Sequence, residues 1–109
     1  MDLAKKRCVP CEGNIKPLSN SQIQALLKNL TEWEKNSDEK FIKRRFKFKN
    51  FIESLEFVNK IGAIAEEENH HPDLEFGWGY CEVRLYTHSI NGLHENDFIV
   101  ASKINNLKK

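Results

Sequence analysis

The apolar residues of this chain recur at helical spacing in three separate stretches. In the first, between Leu18 and Leu30, Ser19 and Gln22 have the spacing of a capping box, which marks the start of a helix. The apolar positions that follow share one face: Ile23, Leu26, Leu27 and Leu30. Together these signals predict a first helix over residues 18–30.

The second stretch predicts a long helix that begins after a cap at Asn50 and ends near Asn69. Its apolar positions form two adjoining bands. The first band contains Phe51, Leu55, Val58, Gly62 and Ala65, and the second contains Phe57, Ile61 and Ile64. A helix on the surface of a monomer needs an apolar arc of only about 100° or somewhat more. The second band is surplus apolar surface, which a single two-layer domain would leave exposed. It is therefore predicted to pack against another subunit.

The third stretch predicts a final helix near the end of the chain. Asn96 and Asp97 lie in its first turn, and Asn91-Gly92 forms the turn that precedes it. Its buried stripe is expected to contain Val100, Ala101, Ile104 and Leu107.

Alternation of apolar and polar residues predicts four strands in two hairpins. The first hairpin begins at Trp33 and returns over residues 41–49, and the second begins at Leu74 and returns over residues 80–88. Hairpins make an antiparallel sheet. The expected fold class is therefore α+β, a two-layer domain with a four-stranded antiparallel sheet, helices on one face and the order α-β-β-α-β-β-α. Residues 1–17 are expected to form an irregular N-terminal arm, and residues 18–109 a single domain.

Composition narrows the classes of function. The 109 residues are 39% hydrophobic and 10% aromatic, which is ordinary for one globular domain. A formal net charge of +1 provides no large field for nucleic acid or a membrane surface. No apolar run approaches the roughly 18 residues that span a bilayer. Residues 1–7 are polar and basic, so we expect no secretory signal and a cytoplasmic location.

The cysteines give a weak signal. Cys8 and Cys11 have the spacing of a redox motif or of half a zinc site. A second such pair is missing from the sequence, and the motif lies in the arm rather than between a strand and a helix. We therefore expect no thiol chemistry from this pair. Cys81 alternates with Val83 and Leu85, which is typical of a small core residue.

Candidate chemistry lies in the second half of the chain. Its ionisable residues are Glu66, His70, His71, His88 and Asp97, and Pro72 follows the two adjacent histidines. Histidine is the one side chain that titrates near neutrality without perturbation, so the cluster indicates proton transfer or metal ligation.

A structural interpretation remains open for part of this set. Histidines in the last turn of a helix complement its dipole, which would account for His70 and His71. Asp97 could likewise satisfy the start of the final helix. Neither argument accounts for His88, at a strand end off the core face. Metal ligation is disfavoured because adjacent residues on a helix point about 100° apart, so we expect no metal site.

The chain resembles the pterin-4a-carbinolamine dehydratase family over nearly its whole length. The residues that carry the resemblance are Glu66 with His70-His71-Pro72, Trp78, Thr87-His88, Gly92-Leu93 and Asp97, with Cys8-Val9-Pro10-Cys11-Glu12-Gly13 and Pro17-Leu18-Ser19 in the arm. The resemblance implies a hydro-lyase that converts a 4a-hydroxytetrahydropterin to quinonoid dihydropterin and water. Such an enzyme recycles the tetrahydropterin cofactor of aromatic amino acid hydroxylases and needs no cofactor or metal of its own.

Residue roles follow from the same resemblance. His70 and His88 would be the acid–base pair near opposite faces of the pterin, and His71 would mainly hold the substrate. From their positions, we expect Glu66 to orient His70, and Asp97 to orient or charge a histidine or to bind the ring.

Two tryptophans complete the expected site. Trp78 is the aromatic residue of the second hairpin that belongs to the resemblance. Trp33 is either an apolar wall of the pocket or a core residue.

Three positions depart from the pattern of the animal members: Asn69 replaces an aspartate, Asn96 an arginine, and His94 stands where a Ser or Thr cap is expected. The family also implies a second class of function, a non-enzymatic dimerisation cofactor that binds a homeodomain transcription factor through the long helix. The three histidines favour the enzyme. The expected partners are a pterin and a second copy of the chain, in a homodimer or homotetramer through helix 50–69, without direct nucleic-acid or membrane binding.

Overall fold

The computed structural model describes residues 3–9 and 16–107. Three α-helices and four strands follow in the predicted order: α1 (Asn20–Leu27), β1 (Glu34–Lys35), β2 (Ile42–Lys47), α2 (Phe51–Glu68), β3 (Asp73–Gly77), β4 (Tyr80–Leu85) and α3 (Glu95–Asn105). All strand pairs are antiparallel, and the order across the sheet is β1-β2-β4-β3. The predicted α+β fold is confirmed. No helix in the described ranges is long and apolar enough to cross a membrane.

The helix starts are those that the sequence predicts. Ser19 and Gln22 form a reciprocal capping box at α1, and the Asn50 side chain accepts a hydrogen bond from the Glu53 amide at the start of α2. Helix α1 ends at Leu27, three residues earlier than expected, because the chain then continues as tighter turns. Leu30 still reaches the core, with 4% of its surface exposed.

The sheet register explains which side of the sheet is buried. Ile42 lies opposite Leu85, and Phe46 lies opposite Cys81, so all four project from the same face. All four are buried. The interpretation of Cys81 as a core residue is confirmed, and burial raises the pKa of its thiol to about 11.

The two apolar bands of α2 are arranged differently from the prediction. Phe57 and Ile61, expected to be exposed, are 2% and 0% exposed, whereas Phe51 is 44% exposed. The Phe57 ring lies against the rings of Phe46 and Phe48, with centroids 4.7 and 5.1 Å apart. The bands adjoin, so a modest rotation of the helix about its axis decides which one faces the sheet, and the sequence pattern does not fix that rotation. The exposure predicted for the second band is therefore wrong.

The described part of the N-terminal arm packs against the domain. A short 3-10 helix, Leu3–Lys5, which the sequence does not indicate, lies beside α3. Leu3 is only 2% exposed, and the Lys103 Nζ donates to the Ala4 carbonyl oxygen at 2.8 Å. Residues 3–5 are thereby held close to α3.

Replacing Ile61 by alanine should destabilise the fold itself. The side chain is fully buried, and such a truncation costs about 2–5 kcal/mol of unfolding free energy. Glu56→Ala, at an exposed position of the same helix, should change it by less than about 0.5 kcal/mol. Urea unfolding followed by circular dichroism measures both, and equal midpoints for the two variants would contradict the observed orientation of α2.

Candidate active site

A cavity of about 500 Å³ lies where the end of α2, the segment after β4 and the start of α3 meet the arm. Three of the predicted site residues line it, namely His70, His71 and His88. Thr87 and Tyr86 line it from the segment after β4. The structure therefore brings the three histidines of the signature together in one cavity.

The two adjacent histidines are positioned by the way α2 ends. Asn69 adopts the left-handed conformation, with φ 51° and ψ 42°, and the His70 amide donates to the Ala65 carbonyl oxygen at 3.1 Å. This ending is typical of an αL cap. Beyond it the chain leaves the helical path, so the angular spacing of residues on a helix no longer separates His70 from His71.

Glu66 therefore pairs with the other histidine. Its Oε2 lies 2.5 Å from the Nε2 of His71, not near His70 as expected. The expectation is wrong because the (i, i+4) rule holds only while both residues are helical, and His70 lies past the cap. The pair is exposed, with 53% of the His71 side chain and 79% of the Glu66 side chain accessible. Water screens such a pair, so it orients His71 only weakly.

His70 is held by a buried carboxylate. Its Nε2 lies 2.6 Å from the Oδ1 of Asp97, whose side chain is fully buried. The other oxygen of Asp97, Oδ2, accepts hydrogen bonds from the Thr87 hydroxyl at 2.8 Å and from the His94 amide at 3.0 Å. With Asp97 ionised, the proton of neutral His70 is on Nε2. The Nδ1 of His70 is then a lone-pair acceptor, able to take a proton.

Asp97 keeps its position because it also belongs to the first turn of α3. The Nδ1 of His94 accepts from the Asn96 amide at 3.0 Å, so this histidine is the helix cap, at the position where a Ser or Thr cap is expected. The carboxylate of Asp97 returns a bond to the His94 amide. The structural and the functional interpretations of Asp97 are thus both supported by its contacts.

His88 lies in a short 3-10 helix, His88–Ile90, rather than at the end of a strand. Strand β4 ends at Leu85, and Thr87 and Gly92 close a loop through a backbone hydrogen bond of 2.8 Å. The predicted strand end is wrong because the chain turns through His88–Ile90 soon after β4, and Asn91, with φ 50°, ends that turn. The predicted position off the core is confirmed, since His88 is exposed. The centroid of its ring lies 4.1 Å from that of the Tyr86 ring.

Residues 16–107 match the family described as pterin 4 alpha carbinolamine dehydratase. The chain belongs to this family. It is 50% identical over 107 residues, 98% of each chain, to a protein of Halorhodospira halophila named for this dehydratase. A protein of Methylococcus capsulatus named likewise is 49% identical over 105 residues, 96% of this chain and 92% of that one. The fold is similar, with a TM-score of 0.78, to the crystal structure of a transcriptional coactivator/pterin dehydratase from Brucella melitensis, which is 34% identical with 83% and 96% of the chains covered.

Membership in the dehydratase family identifies the chain as a hydro-lyase. The histidines in the cavity are those that carry the resemblance in sequence. Among the described residues, no group of three or more His, Cys, Asp or Glu side chains is arranged to hold a metal ion.

Neither of the two tryptophans expected at the site lines the cavity within this chain. Trp33 is 6% exposed, and its Nε1 donates to the Oδ1 of Asn105 at 2.7 Å, so the core interpretation is correct. Trp78 is 72% exposed in the turn between β3 and β4. The prediction that Trp78 belongs to the site thus receives no support from the contacts within one chain.

Several residues that line the cavity were not among the predicted site residues. Glu68 stands in a run of three glutamates that reads as a solvated face, yet its side chain is 2% exposed. Asn96 is 2% exposed, and Cys8 and Val9 come from the distant arm. Contacts between segments so far apart in the chain leave no local spacing that could have been recognised.

The thiol of Cys8 is a wall of the cavity rather than a reactive group. Burial first, and then the charges of Glu68 and Asp97, raise the pKa of Cys8 from 9.0 to about 12. The thiolate is the reactive form, so the thiol is inert near neutral pH. Cys11, the other member of the motif, lies outside the described residues.

Asp97→Asn should reverse the tautomer of His70. An amide can keep its oxygen towards Thr87 and His94 only by turning its NH₂ group towards Nε2, which must then accept. The proton of His70 would move to Nδ1, and ring-nitrogen chemical shifts in ¹⁵N NMR would show this change of tautomer.

Glu66→Gln is the matched control, because among the described residues the Glu66 carboxylate pairs with the exposed His71. It should leave the ring-nitrogen shifts of His70 unchanged. A His70 tautomer that stayed the same in Asp97→Asn would mean that Asp97 does not determine the proton position.

Proposed function

We propose that this protein dehydrates a 4a-hydroxytetrahydropterin to quinonoid dihydropterin and water, and thereby recycles the tetrahydropterin cofactor of aromatic amino acid hydroxylases. The observation that carries the proposal is the chain of hydrogen bonds from Thr87 through buried Asp97 to His70, in the cavity that also holds His88. The family membership supplies the substrate class.

The reaction needs two proton transfers and no redox step. The C4a–O bond breaks and its electron pair leaves with the oxygen, which becomes water on receiving a proton. The neighbouring ring nitrogen loses its proton, and the electron pair of that N–H bond becomes the new C=N bond. Two groups that exchange protons near neutral pH are sufficient for this chemistry.

His70 is suited to accept the proton from the ring nitrogen. Its Nδ1 has a free lone pair while Nε2 donates to Asp97. The imidazolium that forms is stabilised by the adjacent carboxylate, which is out of contact with water and therefore weakly screened.

His88 is suited to protonate the leaving hydroxyl group. Its side chain is exposed, so water can restore its proton after each turnover. The contact with the Tyr86 ring limits the positions that its own ring can take. His71, held loosely by Glu66 at the cavity wall, is assigned to substrate binding. In this scheme neither a metal ion nor a cofactor takes part.

Removing either member of the acid–base pair should lower kcat. We expect His70→Ala and His88→Ala each to reduce it by about 10²–10⁴-fold, and nearer the lower value because one histidine partly replaces the other. His71→Ala should act mainly on KM. A coupled hydroxylase assay that follows decay of the 4a-hydroxytetrahydropterin measures all three, and full activity of His88→Ala would refute the proposed site.

We also propose that the protein is a homo-oligomer that assembles through the outer side of α2. Phe57 and Ile61 are covered by the chain's own sheet, but Phe51 and Ile52 on the outer side of α2 are 44% and 61% exposed. A Cβ atom added at Gly62 would meet no other atom within 4 Å. Strand β3 is at the edge of the sheet, a position at which strands of two copies can pair.

A charge on the outer side of α2 should therefore weaken the assembly. Ile52→Asp would bury a carboxylate at the contact, and the mass from light scattering should fall at micromolar concentration while circular dichroism stays the same. Glu56→Ala, on the same helix, should leave the mass unchanged. A monomeric mass for the unmodified protein would contradict the proposal and would leave this apolar side for a different protein partner.

A further inference from the structure

The described segment of the N-terminal arm, residues 3–9, forms one side of the cavity and is called the strap below. Its residues Cys8 and Val9 line the cavity. The Val9 side chain is apolar and 56% exposed, although it lies beside polar histidine and carboxylate groups. An exposed apolar side chain at the wall of a substrate cavity is suited to contact the face of a flat ring.

A buried amide holds Val9 through two reciprocal hydrogen bonds. The Nδ2 of Asn96 donates to the Val9 carbonyl oxygen at 2.6 Å, and the Val9 amide donates to the Oδ1 of Asn96 at 3.0 Å. Asn96 is 2% exposed. Both polar atoms of its side chain are thus used on the strap, and both would lose their partners if the strap moved away.

A buried carboxylate holds the neighbouring residue. The Oε1 of Glu68 accepts from the Cys8 amide at 2.8 Å, and its Oε2 pairs with the Arg7 Nε at 3.2 Å. Lys103 lies near the same carboxylate, with its Nζ 3.9 Å from Oε2. Consecutive amides of the strap are therefore bound by side chains from two different helices.

These two side chains stand next to the proposed catalytic groups. Glu68 precedes His70 by two residues at the end of α2, and Asn96 adjoins Asp97 at the start of α3. We propose that Asn96 and Glu68 are positioning residues of the pterin site, which hold Cys8 and Val9 as a wall against the bound ring. This inference rests on the proposed function, because it takes the cavity to be the pterin site.

Docking of the strap and binding of pterin should be coupled. If pterin binds more tightly when the strap is docked, the apparent KM rises as the docked fraction falls. By linkage, bound pterin must then favour docking by the same ratio. Bound ligand therefore changes the docking of the strap if the strap contacts the ligand. It leaves the docking unchanged if the strap only stabilises the fold.

Cys8 reports docking in the unmodified protein. With a pKa of about 12 when the strap is docked, its thiol reacts with iodoacetamide at pH 8 mainly after undocking. Mass spectrometry distinguishes Cys8 from the other cysteines. A saturating non-reacting 7,8-dihydropterin should slow alkylation of Cys8 by about 5- to 30-fold, as expected for one or two hydrogen bonds.

Variants test separately the hydrogen bonds that Asn96 and Glu68 make to the strap. Asn96→Leu removes both hydrogen bonds to Val9. Val9→Pro removes the backbone N–H of residue 9, and with it one of these two bonds, without changing a residue of a helix. Each should raise KM by about 5- to 30-fold, leave kcat within about twofold and speed alkylation of Cys8 without ligand. Val9→Pro keeps the test valid if Asn96→Leu does not fold.

Glu68 offers a conservative pair. Glu68→Gln retains an oxygen for the Cys8 amide but turns an NH₂ group towards Arg7 and Lys103, so it should raise KM less than Glu68→Leu, which should behave like Asn96→Leu. Glu95→Gln is the matched control, since Glu95 adjoins Asn96 but contacts the strap at Lys6, where both side chains are about 40% exposed. It should change neither KM nor the alkylation rate.

Two outcomes overturn the inference in different ways. Normal pterin turnover with no protection of Cys8 and unchanged KM in Asn96→Leu and Val9→Pro would show that the strap is no part of the site. In that case the proposed function stands. No binding and no turnover of pterin by the unmodified protein would instead overturn the proposed function and this inference together.

Discussion

The burial of Asp97 is the constraint on which the arrangement of the site depends. A carboxylate out of contact with water needs hydrogen-bond partners for both oxygens, and removing one partner from a buried pair costs about 3–5 kcal/mol. Asp97 obtains its partners from three segments: Thr87 after β4, the His94 amide at the start of α3, and His70 beyond α2. Satisfying one buried charge therefore brings the ends of three elements together, and the cavity is the space that remains between them.

The same constraint makes two adjacent histidines different. His70 and His71 are neighbours in sequence and each meets a carboxylate, but His70 meets one that is fully buried and His71 one that is 79% exposed. Only the buried partner can fix a tautomer and stabilise a transient imidazolium, because bulk water competes for the exposed one. This difference in solvation supports the proposed assignment of proton transfer to His70 and of binding to His71.

Local features of the sequence predicted the fold well. Capping at Ser19 and Asn50 and alternation along β2 and β4 each depend on residues within a few positions, and these elements are in the structure. The errors concern features that need tertiary information. The rotation of α2 is decided by the packing of Phe57 on Phe46 and Phe48, and the partner of Glu66 by a left-handed residue at the helix end. The cluster of histidines could be recognised from its motif, but Glu68 and Asn96 could not, since their partners lie in a distant arm.

Core and cavity are built from different parts of the same elements. The middles of α2, β2, β4 and α3 contribute side chains that are almost fully buried, such as Ile61, Phe46, Val83 and Val100. The cavity takes its polar groups from element ends, where helices leave backbone groups without partners and turns can direct a side chain out of the regular path. Residues at those ends can therefore bind other segments of the chain without disturbing the core. Asn96 and Glu68 are examples. They lie at helix ends beside Asp97 and His70, and they accept hydrogen bonds from backbone amides of the strap instead of packing in the core.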